Sequence, residues 1–272
     1  MSWPIGKTWD MGEQTVEARH AQDYAAATGD AAAAYSGEDA IAPPMLHVRL
    51  MKGLLFSIAA DPELGLDMLR LVHGGHGATF HAPLRVGDVV HVHGELLEVE
   101  EKSSGLLVTS AMYADVAGQR RVDCTTQFFI RAKDPPAKGP RAPRPPAADP
   151  PPPDFEAEFT VPPDASYVYA KASLDDNPIH VNPEVARSAG LPDVILQGLC
   201  TMAMTVREGV TAGAGGDPRK LRHASVRFAR PVLNGMPLKT RGWRLADGSW
   251  AVETLGPDGK PVLDNAMLRF EA

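Results

Sequence analysis

Cysteine is scarce. Cys124 and Cys200 are the only two in 272 residues and stand far apart, which excludes a disulfide framework and suits a reducing compartment. Cys200 sits in an apolar run, Val194 to Val206, and reads as a buried small hydrophobe rather than a nucleophile. Long apolar stretches are missing as well. The best membrane candidate, Leu50 to Val72, is interrupted by Asp61, Glu63 and Asp67 and falls short of the ~20 apolar residues a span needs. The opening stretch, Met1 to Glu17, carries acidic residues and no apolar core, so it does not read as a signal peptide. Basic residues are outnumbered, 27 Lys and Arg against 34 Asp and Glu, and a net charge of −7 argues against a nucleic-acid surface. Gly213 to Gly216 lacks the lysine and strand context of a phosphate-binding loop. His73, His76, His81 and the His91/His93 pair come without the cysteine or acidic set of a structural zinc site. The expectation is a soluble, cytoplasmic protein with no metal, no cofactor, and neither nucleic acid nor membrane as partner.

Proline, by contrast, is plentiful and unevenly placed. Asp134-Pro135-Pro136, Pro143, Pro145-Pro146 and Pro150 to Pro153 crowd into one segment, which favours extended geometry over helix or central strand. This predicts a linker over 132–154 between an N-terminal half, 1–131, and a C-terminal half, 155–272. At 44% hydrophobic residues the chain can build a sizeable core, and its length fits about two units of ~150 residues.

The halves resemble each other. Phe80-His81-Ala82-Pro83-Leu84-Arg85-Val86-Gly87 aligns with Phe228-Ala229-Arg230-Pro231-Val232-Leu233-Asn234-Gly235, and Ala27-Thr28-Gly29-Asp30 aligns with Ala172-Ser173-Leu174-Asp175. The offsets, 148 and 145, nearly agree. Each half has short helical pieces (Gln14 to Ala27; Ala165 to Ala172), then a longer apolar helix (Met45 to Ala60; Val194 to Val210). Strands follow: Val89 to Leu96, Gly105 to Met112 and Cys124 to Ile130, then Ala224 to Phe228, Leu238 to Leu245, Trp250 to Leu255 and Val262 to Phe270. Asp247-Gly248 and Asp258-Gly259 mark hairpin turns. One long helix followed by a mostly antiparallel sheet makes each half an α+β unit.

The chemistry concentrates in Asp175-Asp176-Asn177-Pro178-Ile179-His180 and, downstream, Gln197-Gly198-Leu199-Cys200-Thr201. A carboxylate and an imidazole five residues apart, bracketing a rigid Asn-Pro, can point at one small volume. A glycine at the opening of a helix adds an N–H that can face an oxygen gaining negative charge. Base, proton partner and oxyanion donor are what moving water onto or off an activated double bond requires. The bland alternative is an Asx-type turn beside a surface histidine, with Asp176 a solvated neighbour.

These residues resemble the MaoC-like, or hydratase-2, hot-dog family, whose signature is close to S-G-D-x-N-P-[LI]-H followed by H-G-[LM]. The whole chain resembles its double-hot-dog form, two hot-dog repeats each with a long helix wrapped by a sheet. The resemblance implies reversible syn hydration of a trans-2-enoyl-CoA to a (R)-3-hydroxyacyl-CoA, with an acyl-CoA as substrate and no cofactor. It places Asp175 and His180 on the catalytic pair and Gly198 on the oxyanion donor. Asn177 and Phe228, and His73, Gly74 and Lys102 from the first half, fall on substrate-binding positions. A homodimer of such chains is one assembly it allows. Two departures border the site: Leu174 replaces the usual glycine, and Gln197 the usual histidine. The first half has Asp30 followed by Tyr35, with no imidazole, and matches a non-catalytic half. Three rival readings remain: dehydration of a 3-hydroxyacyl thioester on a carrier protein, an acyl-thioester-binding subunit without turnover, and, behind both, a metal-storage or sensor role.

Overall fold

The computed structural model describes residues 3–133 and 151–271, so most of the linker expected at 132–154 lies outside the described residues. The first part of the chain supplies strands β1 (Thr8–Thr15), β2 (Leu71–Phe80), β3 (Val89–Lys102), β4 (Gly105–Val116) and β5 (Gln119–Arg131). The second supplies β6 (Phe155–Thr160), β7 (Leu221–Phe228), β8 (Pro237–Arg244), β9 (Trp250–Leu255) and β10 (Pro261–Phe270). All ten form one antiparallel sheet in the order β1-β3-β4-β5-β2-β7-β10-β9-β8-β6. Burial alternates along β5 and β8, the mark of a sheet covered on one face.

Helices α1 (Ala18–Thr28), α2 (His47–Leu50), α3 (Lys52–Ala59), α4 (Ala165–Ser173), α5 (Pro178–Val181), α6 (Pro183–Ser188) and α7 (Gly198–Ala214) complete the fold. α7 lies across β7, β8, β9 and β10, while α3 packs on β1 and β3. One apolar core runs through both parts of the chain, from Leu54, Ile58 and Met112 to Met202, Val206 and Leu268. Fully burying a side chain of this size is worth about 1.5–3 kcal/mol. The long helix expected over Met45 to Ala60 is instead a 3₁₀ turn, Pro44–Leu46, followed by α2 and α3. The helices divide at Met51, whose φ of −89° and ψ of 0° leave ideal helix geometry.

The repeat is visible in three dimensions. Ala78 of β2 pairs with Ala224 of β7, where the two sets of five strands meet. Tyr24 of α1 meets Tyr169 of α4, its counterpart 145 residues on, hydroxyl to hydroxyl at 2.9 Å with both rings buried. The C-terminal carbonyls of these helices are covered reciprocally. Arg49 donates to the carbonyls of Lys171 and Ala172 at 3.2 and 2.9 Å, and Arg207 donates to those of Thr28 and Gly29 at 2.9 and 3.1 Å. Cations are favoured at helix C-termini, where carbonyls lack intrahelical partners.

Removing one hydroxyl of the buried tyrosine pair strands the other. Tyr24→Phe is expected to cost about 1–3 kcal/mol in urea unfolding, and Tyr24→Phe/Tyr169→Phe less than the sum of the singles.

Candidate active site

α4 ends in a left-handed turn. Leu174 sits at φ 64°, ψ 17°, and Gly29 ends α1 at φ 64°, ψ 24°, at the equivalent place 145 residues earlier. Glycine is the residue that adopts this conformation freely, so leucine here holds a strained backbone. The turn delivers Asp175, whose N–H donates to Ser173 Oγ at 3.2 Å. Asn177 then accepts from the Ile179 N–H at 3.3 Å, and Pro178 occupies the first helical position of α5. Asn177 is exposed, so its observed contact is a helix cap rather than a contact in the site. α5 carries His180 inward, where it is buried.

His180 Nδ1 lies 2.7 Å from the Ile195 carbonyl, which can only accept, so the ring proton is on Nδ1 and Nε2 offers a lone pair. Nε2 faces Asp175 Oδ2 at 4.0 Å. Burial moves the His180 pKa below its ordinary 6.5, against the pull of the Asp175 carboxylate. Burial pushes Asp175 upward, but Lys52, through its charge and its hydrogen bond, and His180 outweigh it and keep the carboxyl below the usual range. A neutral imidazole nitrogen and a carboxylate oxygen, both acceptors, therefore face each other with no proton between them. One water donating to each, at about 2.8 Å, would bridge them.

Gln197 replaces the family's histidine and has a defined task. Its amide nitrogen donates to the carbonyls of Ser166 and Asp175, both at 3.0 Å, tying the aspartate loop to the start of α7. Gly198 is the first residue of α7, so its N–H has no intrahelical acceptor. A Cβ on Gly198 would lie 2.8 Å from the ring of Phe228, so only glycine fits beneath that ring.

The first part of the chain reaches the same place. His73 of β2 lies with its ring centre 4.9 Å from that of Phe228, and its buried Nε2 has no partner among the described residues. Burial brings the His73 pKa down to about 4, opposed by the Asp175 carboxylate. Gly74 follows it in the strand. Lys102 is different: it ends β3, pairs with Glu100 at 3.2 Å, and lies three strands along the sheet from β2. The structure brings Asp175, His180, Gly198, Phe228 and His73 together, and leaves Lys102 apart.

Sequence reasoning missed Lys52. Its ammonium, from α3, lies 2.7 Å from Asp175 Oδ1. The available signal was a cation inside an otherwise apolar helical stretch, which pattern alone assigns to solvent. The equivalent place in the first part is closed: Tyr35 donates to Asp30 Oδ2 at 2.7 Å, leaving no gap between carboxylate and partner. Of the remaining histidines, His20 lies 3.5 Å from the Glu17 carboxylate, and the others are held by hydrogen bonds. His47 and His76 meet head-on, Nε2 to Nε2 at 3.1 Å, with Cys124 Sγ at 3.4 Å from His76, while His91 and His93 bond to Asp10 and Asp115 at 2.8 and 3.0 Å.

Ten antiparallel strands, duplicated about the β2–β7 seam with a long helix on the second set, define a double hot-dog α+β protein. A crystal structure of a MaoC-like dehydratase from Phytophthora capsici has the same fold, with TM-score 0.81 at 23% identity, covering 98% of this chain and 95% of that one. A Mycobacterium tuberculosis protein described as having a double hotdog fold superimposes with TM-score 0.63 at 15% identity, covering 99% and 96%. Residues 148–265 match the family described as MaoC like domain, and residues 4–123 match the FAS1-like, dehydratase domain region. The 3-hydroxyacyl-thioester dehydratase Y of Mycobacterium tuberculosis is 30% identical over 214 residues, 74% of this chain and 73% of that protein. The peroxisomal multifunctional enzyme type 2 of Drosophila melanogaster is 29% identical over 243 residues, 82% of this chain, which spans only 39% of that protein's length. The chain belongs to the MaoC-like dehydratase family, and hydro-lyase chemistry is the broad activity that this membership supports. No helix among the described residues is long and apolar enough to cross a membrane.

Leu174→Gly is expected to raise stability by up to ~1 kcal/mol in urea unfolding, the relief of left-handed strain exceeding glycine's extra freedom when unfolded.

Proposed function

We propose that the chain is a (R)-specific 2-enoyl-CoA hydratase, adding water reversibly and syn to a trans-2-enoyl-CoA to give a (R)-3-hydroxyacyl-CoA. The observation that carries this reading is the 4.0 Å gap between two acceptors, His180 Nε2 and Asp175 Oδ2. A water donating to both directs its remaining lone pairs outward, toward an electrophilic carbon. As its oxygen bonds to the β-carbon, one of its protons passes to His180 Nε2 and the double-bond electrons move onto the thioester oxygen. The Gly198 N–H donates to that oxygen, a contact typically worth ~10²–10³-fold. The proton on His180 then goes to the α-carbon as the enolate collapses. Hydroxyl and hydrogen come from one side, which makes the addition syn.

Phe228 and His73 are assigned the walls beside the thioester, Gly74 the backbone approach, and Lys102 a phosphate of the CoA portion, as suits an ammonium. Asn177 is assigned the shaping of the loop. The acyl chain is assigned the crevice between the two halves, and the first half, closed at Asp30–Tyr35, a non-catalytic role. No metal or cofactor enters these steps. The two buried free thiols suit the cytoplasm. The name of the mycobacterial relative favours a second reading, dehydration of a 3-hydroxyacyl thioester, which uses the same groups in reverse. An assembly subunit without turnover has no need of the open gap.

Hydration of a short and a long enoyl-CoA, followed by chiral analysis, tests the proposal: the (R) product is expected, and no turnover or the (S) product would overturn it. Comparison with the pantetheine-carrier thioester separates the two directions of use. Asp175→Asn and His180→Gln are each expected to lower kcat by at least ~10²-fold. The neutral imidazole is the active form and its pKa is lowered, so kcat/KM should stay level down to below pH 6.5 and fall only under more acid conditions.

A further inference from the structure

We propose that Lys52, supplied by the non-catalytic first half, is a positioning residue that holds the Asp175 carboxylate in its open arrangement and so keeps room for the attacking water. A carboxylate has two oxygens, and the ammonium takes Oδ1 at 2.7 Å, leaving Oδ2 to face His180 Nε2 at 4.0 Å. Gln197 and Ser173 fix the main chain of Asp175, but these contacts leave its side-chain torsions free. Among the described residues, Lys52 alone makes a hydrogen bond to the carboxylate oxygens. Both partners are largely covered, with side chains 29% and 22% exposed, so water screens the pair only partly.

The first half shows the same aspartate without a cation. Asp30 has no cation on its carboxylate among the described residues; its Oδ1 accepts only from the Ala32 N–H at 3.3 Å, and its Oδ2 accepts directly from the Tyr35 hydroxyl at 2.7 Å. Released from Lys52, Asp175 would be free to turn, and His180, more easily protonated without that charge, would donate its Nε2–H directly to the carboxylate, so the water would lose its place. The charges agree with the geometry. The groups facing Asp175 are Lys52 from α3, His180 from α5, His73 from β2 and the Tyr169 phenol from α4. The positive charge of Lys52 opposes protonation of both Asp175 and His180, so both stay proton acceptors in mildly acid conditions.

The kinetic part of the test rests on the hydratase reading; the spectroscopic part does not. In the full chain, Lys52→Met is expected to lower kcat for crotonyl-CoA hydration by ~10-fold or more, since misplacing a catalytic group by about 1 Å can cost ~10²-fold. KM should change by less than ~3-fold, and the acid limb of the pH profile should move to higher pH. Lys52→Cys treated with bromoethylamine, which rebuilds an ammonium while the buried native thiols are shielded, should recover most of kcat. Independently, the ¹⁵N-NMR titration midpoint of His180 should rise when Lys52 is lost. That shift is readable even if the wild-type protein hydrates no enoyl-CoA, an outcome that would sink the hydratase reading alone. Unchanged kcat and acid limb, a rise confined to KM, or an unmoved His180 midpoint would each overturn the role given to Lys52.

Discussion

Two hydrogen-bond acceptors held 4.0 Å apart without touching are an unstable arrangement unless something else fixes each of them. Here each is fixed from behind. The Ile195 carbonyl takes the His180 ring proton at 2.7 Å and so sets the tautomer, and Lys52 takes the far oxygen of Asp175 at 2.7 Å. The surrounding fold serves these two restraints. α7 and its Gln197 cap hold the aspartate loop, and the β2–β7 seam sets the two parts of the chain so that α3 reaches across. Reciprocal arginine contacts on the ends of α1 and α4 hold the same register.

Duplication followed by divergence explains the asymmetry. Gly29 and Leu174 occupy the same left-handed turn, and Asp30 and Asp175 the same following position. The copy with the relaxed glycine has a tyrosine in place of the imidazole and is closed by it. The other accepted a strained leucine yet kept its aspartate and histidine apart. Strain of ~1–2 kcal/mol at one backbone position is tolerable when the turn is held on both sides, as it is by Ser173 and Gln197. The relaxed turn accompanies the closed site, so the gap depends on the partners of each side chain rather than on turn strain.

Much of this was legible in one dimension. The Asp-x-Asn-Pro-Ile-His string, the repeat offset and the Asp-Gly turns are local signals, and the second-part strands fall within a few residues of expectation. β2 was not foreseen as a strand, because His73-Gly74-Gly75-His76-Gly77 breaks the β-branched pattern by which strands are recognised. Its glycines serve the seam: a Cβ on Gly75 would lie 3.2 Å from the Val226 carbonyl. The edge strands β1 and β6 were also passed over, their charged and polar sequences giving little apolar alternation to read. Gln197 was noticed as a departure, but its link to the Asp175 carbonyl is a tertiary fact.

Sequence by itself determined what depends on neighbours along the chain: the capped Asn-Pro turn, the glycine at the start of α7, the duplicated order of elements, and a residue set suited to moving water. Tertiary structure decided which charges meet. Lys52 and Asp175 are 123 residues apart, and nothing local distinguishes that lysine from one facing solvent. Only when burying a shared core brings α3 against the aspartate loop does its ammonium acquire a partner, because an ion pair needs proximity in space and partial shelter from water.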